Sequence, residues 1–187
     1  MEYCNDCNCG DTSCCLKIGK PAPKFKMEGY YKGEMKHYHL DDYKGKWVVL
    51  FFYPLDFTFV CPTELVELSK KHKEFEAINA QVLGISVDSV YSHEAWCKGD
   101  MGELNYPLLS DMTKFVSHSY NVLEPEQGVS LRGAFIIDPE GILKAYMVND
   151  LTIGRNIDEL VRLVKAFQTG DLCPVGWHEG EKTLGKA

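Results

Sequence analysis

The stretch Trp47-Val-Val-Leu-Phe-Phe-Tyr53 is uninterruptedly apolar and stops at Pro54. β-Branched and aromatic side chains favour the pleated backbone, and a strand that is apolar on both faces needs cover on both. It therefore belongs in the middle of a sheet sandwiched between other layers. Pro54 ends it, because proline has no N–H to donate to a strand ladder. The stretch is too short to cross a membrane, which takes about 18 apolar residues, and Asp56 follows at once.

The rest of the chain supplies what such a strand requires. Pro62 to Asn79 reads as a helix, with proline in its first turn and Leu65, Leu68, Phe75 and Ile78 as its apolar stripe. Gln81 to Val87 is a second buried strand, Asp88 to Lys98 a helix, Pro107 to Leu109 a short strand and Thr113 to Tyr120 a short helix. Ala134 to Ile137, the turn Asp138-Pro-Glu-Gly141 and Ile142 to Val148 form a hairpin. Asn156 caps the last helix, with Glu159 three residues on, Ile157, Leu160, Val161, Val164 and Phe167 at helical spacing, and Gly170 as the stop. Strands alternating with helices predict an α/β fold with a central mixed sheet flanked by helices, for which the thioredoxin-like class is the natural fit.

Residues 1–16 lack apolar periodicity and read as a cysteine-rich tail, residues 17–170 as one domain, and residues 171–187 as a C-terminal segment carrying Cys173. A length of 187 residues suits a single core. The net charge is −7, from 20 basic and 27 acidic side chains, without a basic stripe interleaved with aromatics, which argues against a nucleic-acid partner. No membrane span or signal peptide is legible at the polar N-terminus, so a cytoplasmic location is expected. Five of the eight cysteines, Cys4, Cys7, Cys9, Cys14 and Cys15, crowd the tail; Cys61, Cys97 and Cys173 stand apart.

Cys61 lies at the entrance of the helix predicted from Pro62. A thiol attacks only as thiolate, and an ordinary one, with a pKa of about 8.5, is mostly protonated at neutral pH. The free N–H groups and positive dipole end of a helix stabilise such an anion, and an arginine delivered by the fold would add to them. The competing reading is a small buried core residue, since unpaired cysteine is among the most buried types.

The string Phe51-Phe-Tyr-Pro54-Leu-Asp-Phe-Thr58-Phe-Val-Cys61-Pro-Thr-Glu64 resembles the active-site signature of the peroxiredoxins, Pro-x-x-x-Thr-x-x-Cys. Ser86-Val-Asp-Ser89, Arg132-Gly-Ala-Phe-Ile-Ile-Asp138, Val148-Asn-Asp-Leu-Thr-Ile-Gly-Arg155 and Cys173-Pro-Val-Gly-Trp177 match as well, and the likeness runs from about residue 18 to 184. It is similar to the typical two-cysteine subfamily, which includes the alkyl hydroperoxide reductase C subunit. The resemblance implies a thiol-dependent peroxidase that reduces hydrogen peroxide and alkyl hydroperoxides without a cofactor, in antioxidant defence. Cys61 is then the peroxidatic cysteine, attacking a peroxide oxygen and becoming a sulfenic acid. Thr58 bonds thiolate and peroxide, Pro54 shapes the pocket, and Arg132 supplies a permanent cation. Glu64 orients Arg132 and Arg155. Cys173 is the resolving cysteine, closing an intersubunit disulfide that thioredoxin or a flavoprotein disulfide reductase, NADH-linked, reopens. Because that bond needs Cα atoms within about 7 Å, the first turn carrying Cys61 must unwind. The family also implies a homodimer joined edge to edge near Ile142 to Val148, and a decamer built through Ser89 to Trp96.

Two departures concern regulation. Where oxidation-sensitive relatives carry Gly-Gly-Leu-Gly, this chain reads Gly99-Asp-Met-Gly-Glu-Leu-Asn105, and it stops at Ala187 without their C-terminal extension. Resistance to over-oxidation is the expectation. The tail spacing Cys4-x-x-Cys7-x-Cys9-x-x-x-x-Cys14-Cys15 lies outside the family signature and offers soft thiolates to a metal ion; free thiols in a loose tail are the alternative. Cys97 reads as packing, and His37 and His39 as a solvated pair on one face of a strand. Rival functions are a disulfide oxidoreductase, weakened because Cys61 lacks a Cys-x-x-Cys partner, a holdase chaperone, and a metal-binding module built on the tail.

Overall fold

The computed structural model describes residues 16–186; the tail cysteines Cys4, Cys7, Cys9, Cys14 and Cys15 lie outside the described residues. Strand β3 (Trp47–Phe52) is buried along its whole length, as its apolar run requires. Trp47, Val49, Phe51 and Tyr53 join one core cluster and Val48, Leu50 and Phe52 the other. Such alternation is what a strand covered on both faces must show.

Around it run β1 (Lys26–Tyr31), β2 (Glu34–His39), β4 (Ala80–Ser86), β5 (Leu108–Ser110), β8 (Arg132–Ile137) and β9 (Leu143–Asn149), in the order β2-β1-β5-β4-β3-β8-β9. β3 pairs parallel with β4 and antiparallel with β8, so the sheet is mixed. β6 (Leu123–Glu124) and β7 (Val129–Ser130) form a separate small ribbon. On one face pack residues of α1 (Val60–Lys70), α2 (His72–Ala77), α3 (Val90–Lys98) and α5 (Ile157–Thr169); on the other, α4 (Phe115–Ser119) contributes Val116 beside Tyr120 and Val122. The mixed sheet with helices on both faces is the predicted α/β, thioredoxin-like arrangement.

Several boundaries differ from the sequence reading. The helix expected over 62–79 is two, broken at Lys71 (φ −79°, ψ 0°), whose N–H is shared between the Glu67 and Ser69 carbonyls while its ammonium pairs with Glu74 and Asp158. The break turns Phe75 into the core beside Leu65 and Leu68. α1 also starts before Pro62, so Cys61 is inside its first turn rather than ahead of it. The β1–β2 hairpin was not read from the sequence; its signal is Lys32-Gly33, both with positive φ (47° and 86°), the backbone of a tight two-residue hairpin turn. α5 begins and ends as expected: Asn156 accepts from the N–H groups of Asp158 and Glu159, and Gly170 sits at φ 64°. Glu159 grips Arg162 instead of returning to the cap.

Candidate active site

The end of β3 delivers the chain to buried Pro54, through Phe57 in the left-handed region (φ 55°), and into α1. The residue preceding α1 is Phe59, which gives the helix no side-chain cap and is 94 % exposed. Cys61 is fully buried and belongs to the apolar cluster, so half of the core-residue reading is true of it. Its sulfur is not faced by hydrocarbon alone. Arg132, the first residue of β8, donates from Nη1 to Cys61 Sγ at 3.5 Å.

The guanidinium is fixed at three points. Arg132 Nε donates to the Leu151 carbonyl at 2.7 Å, and Nη1 also reaches Glu64 Oε2 at 2.7 Å. Glu64, one turn after Cys61 on α1, is buried with it. The Arg155 backbone N–H and Nε donate to Glu64 Oε1 at 2.7 and 2.8 Å, and Nη2 donates to Oε2 at 3.1 Å. Arg155 Nη1 donates to the Gly133 carbonyl at 2.6 Å, and its guanidinium carbon lies 3.3 Å from the centre of the Phe51 ring. One carboxylate thus serves two arginines, each of which keeps a further bond.

Burial pushes the Glu64 carboxyl up, but the hydrogen bonds and charge of Arg155, with Arg132 behind them, outweigh it and hold Glu64 below the usual carboxylate range. Burial pulls Arg155 down against the opposing pull of Glu64; a guanidinium keeps its proton regardless. The group of Glu64, Arg132 and Arg155 therefore carries one net positive charge beside the sulfur. That charge can hold a sulfur anion and stabilise negative charge growing on a leaving oxygen.

The Thr58 hydroxyl donates to the Leu55 carbonyl at 3.0 Å, which leaves the oxygen lone pairs to accept from a bound molecule. Cys173 follows α5, half-buried, within 3.5 Å of the Thr169 hydroxyl and 3.7 Å of the Ala166 carbonyl. The fold thus gathers Cys61, Glu64, Arg132 and Arg155 and keeps Cys173 on its own helix end. Asp171, next to α5, is clasped by Thr183 and Lys186, and Trp177 is buried with its carbonyl on Arg162, so the segment bearing Cys173 is folded back on the domain.

Cys97 is packed in α3, as read. His37 is exposed and His39 half-buried on β2. Among the described residues, no group of three or more His, Cys, Asp or Glu is placed to hold a metal ion, and no helix is long and apolar enough to cross a membrane. Sequence reasoning missed a second buried polar group beside the site, in which Asp56 meets His93, Tyr53 and Ser92. The available signal was a histidine on the apolar face of α3, in register with Val90, Trp96 and Cys97.

Comparison with known proteins places this geometry. Residues 18–146 match the AhpC/TSA family. A putative peroxiredoxin in the rubredoxin operon of Clostridium pasteurianum is 51% identical over 175 residues, covering 89% of this chain and 98% of the relative. The mitochondrial thioredoxin-dependent peroxide reductase of Drosophila melanogaster is 52% identical over 172 residues, covering 87% of this chain and 74% of the relative. The crystal structure of the reduced 2-Cys peroxiredoxin of Plasmodium vivax superposes with a TM-score of 0.86 at 43% identity, covering 89% of this chain and 91% of that one.

Proposed function

The chain belongs to the AhpC/TSA family and is a peroxiredoxin, a thiol-dependent peroxidase; on that premise we propose that Cys61 is the sulfur that meets the peroxide and that Cys173 completes its cycle. The observation that carries this is the contact between Arg132 and the Cys61 sulfur at the start of α1. A sulfur lone pair attacks one peroxide oxygen, the O–O bond breaks, and the departing oxygen takes a proton and leaves as water or an alcohol. Arg132 balances the charge that moves from sulfur to leaving oxygen, and Glu64 and Arg155 keep it aimed. Thr58, its proton engaged by Leu55, accepts a hydrogen bond from the peroxide O–H. Pro54 walls the pocket.

The sulfenic acid then meets Cys173 of a second copy. The resolving sulfur attacks, water leaves, and an intersubunit disulfide remains for an external dithiol to reduce, with thioredoxin or a flavoprotein disulfide reductase as donor. The outer edge of β9 pairs with Gly19 and Lys20 at Leu143; past it, exposed Tyr146 and Val148 on this edge strand support pairing with that second copy. Exposed Tyr91 on α3 and exposed Phe57 support a further contact that assembles five dimers. The cycle starts each turn from free thiols, which suits a reducing cytoplasm. The Gly99–Asn105 loop supports resistance to over-oxidation, which sulfinate at Cys61 after a few equivalents of peroxide would contradict. The tail cysteines are proposed as a soft-metal site, checked by metal content with and without residues 1–16.

The test of the cycle is a non-reducing gel after hydrogen peroxide, followed by titration with each donor. A disulfide-linked dimer should form in the wild type and in neither Cys61→Ser nor Cys173→Ser. A dimer that survives in either variant refutes the assignment.

A further inference from the structure

We propose that His93 is a positioning residue of the peroxidase: fully buried on α3, it clamps Asp56 and so fixes the loop that carries Pro54 and Thr58 to Cys61. This rests on the reading of Cys61 as the reacting sulfur, but the clamp itself rests on separate geometry. His93 is fully buried on α3. Its Nδ1 lies 2.8 Å from Asp56 Oδ2 and its Nε2 3.3 Å from the Leu109 carbonyl of β5. The Tyr53 hydroxyl lies 3.4 Å from the same Nδ1, so Asp56, Tyr53 and Leu109 together hold the ring.

Asp56 accepts from the Tyr53 hydroxyl on Oδ1 at 2.8 Å and from the Ser92 hydroxyl on Oδ2 at 2.7 Å. Tyr53 stays the donor, since burial and then the charge of Asp56 hold its phenol well above the usual range. The Asp56 backbone N–H donates to Asp88 Oδ2 at 2.9 Å, which also accepts from the Ser86 hydroxyl at 2.7 Å. Ser110 of β5 donates to the Asp88 carbonyl at 2.6 Å. Burial and the charge of Asp56 push the Asp88 carboxyl up, and His93 opposes them. The Asp56 carboxylate thus faces His93 directly, with Asp88 behind it on the Asp56 backbone.

The mechanical consequence lies in the loop. Asp56 is held twice, by its carboxylate to α3 and by its backbone N–H to Asp88, and the residue after it, Phe57, is in the left-handed region that non-glycine residues avoid. Phe57 also rests against Trp96 of α3, with ring centres 5.7 Å apart. The Leu55 carbonyl that takes the Thr58 proton precedes Asp56 directly. Releasing Asp56 removes what holds this turn, and with it the placement of Thr58 and Pro54 around the peroxide. A misplacement of about 1 Å at a reacting centre can cost about a hundredfold in rate.

The test joins a spectrum to a kinetic split. In protein labelled with nitrogen-15 histidine, a His93 ring N–H, buried and hydrogen-bonded, should give a slowly exchanging signal, assigned by its loss in His93→Gln. A ring N–H that exchanges as fast as that of an exposed histidine overturns the proposal. In stopped flow, His93→Gln should lower the second-order rate of peroxide with Cys61 by about tenfold to a hundredfold, leaving the later disulfide-forming phase within about twofold. The double variant Asp56→Asn/His93→Gln, which removes the stranded carboxylate together with its partner, should recover part of the loss; it and the wild-type spectrum carry the test if the single variant does not fold. A wild-type peroxide rate in His93→Gln, equal slowing of both phases, or no recovery in the folded double variant refutes the clamp. Peroxide consumption that persists in Cys61→Ser refutes instead the assignment of the reacting sulfur.

Discussion

Cys61 and Cys97 are both buried, both helical, and both have a glutamate in their surroundings, yet they are opposite chemical objects. Cys61 is in the first turn of α1 and Cys97 in the last turn of α3, so the helix dipoles favour an anion at one and oppose it at the other. Glu64 near Cys61 is bonded by Arg132 and Arg155. Glu103 near Cys97 accepts a phenol proton, from Tyr30 at 2.6 Å. Burial, and then the charges of Glu103 and Asp56, push the Cys97 thiol up to about 12. Burial is common to both cysteines; the difference lies in the nearby carboxylate, which two arginines hold at Cys61 and which adds to burial at Cys97.

The contrast breaks most visibly at the sulfurs. Cys61→Ser should abolish peroxide consumption, whereas Cys97→Ser should leave it within about twofold in a coupled assay. Next comes the cation. Arg132→Gln removes the donor to sulfur and to the leaving oxygen, and the second-order rate with hydrogen peroxide should fall by about a hundredfold to a thousandfold. Arg132→Lys should recover only part, since an ammonium cannot hold Leu151, Glu64 and the sulfur with one planar fork.

Glu64→Gln tests the carboxylate. It strands two buried guanidinium groups and should destabilise the fold by about 3–5 kcal/mol at neutral pH. Because Glu64 is held below its unfolded value of about 4.3, its pairing is fully present above that pH and is lost as pH falls through the lower folded value. The stability gap between variant and wild type, read by denaturant unfolding, should narrow on acidification; a gap independent of pH would contradict the pairing. The smallest effect is expected from Glu103→Gln, which should lower the pH at which Cys97 becomes alkylated while leaving it above that of an ordinary thiol, because burial is the larger cause.

Much of this was legible before folding. The apolar run of β3 dictated a covered central strand, and Asn156 and Gly170 marked the ends of α5. The break at Lys71 was not, because neither glycine nor proline announces it; tertiary pairing with Asp158 accompanies it. At the site, the reacting cysteine could be ranked only as core residue or nucleophile until the resemblance singled it out. Arg132 lies 71 residues from Cys61, and Arg155 lies 91 residues from Glu64. No local spacing encodes such meetings; sheet order does, by placing β8 beside β3. Asp56 and His93, 37 residues apart, escaped notice for the same reason.

The absence of a cap at Phe59 has a bearing on tempo. A capping side chain typically contributes about 1 kcal/mol to a helix start, and here an aromatic ring open to water stands in its place. The opening turn of α1 is instead anchored from within, by Arg132 on Glu64 and Cys61 and by Arg155 on Glu64. In the proposed cycle, oxidation of Cys61 alters the contact with Arg132, so that the hold on a single helical turn depends on the redox state of one atom.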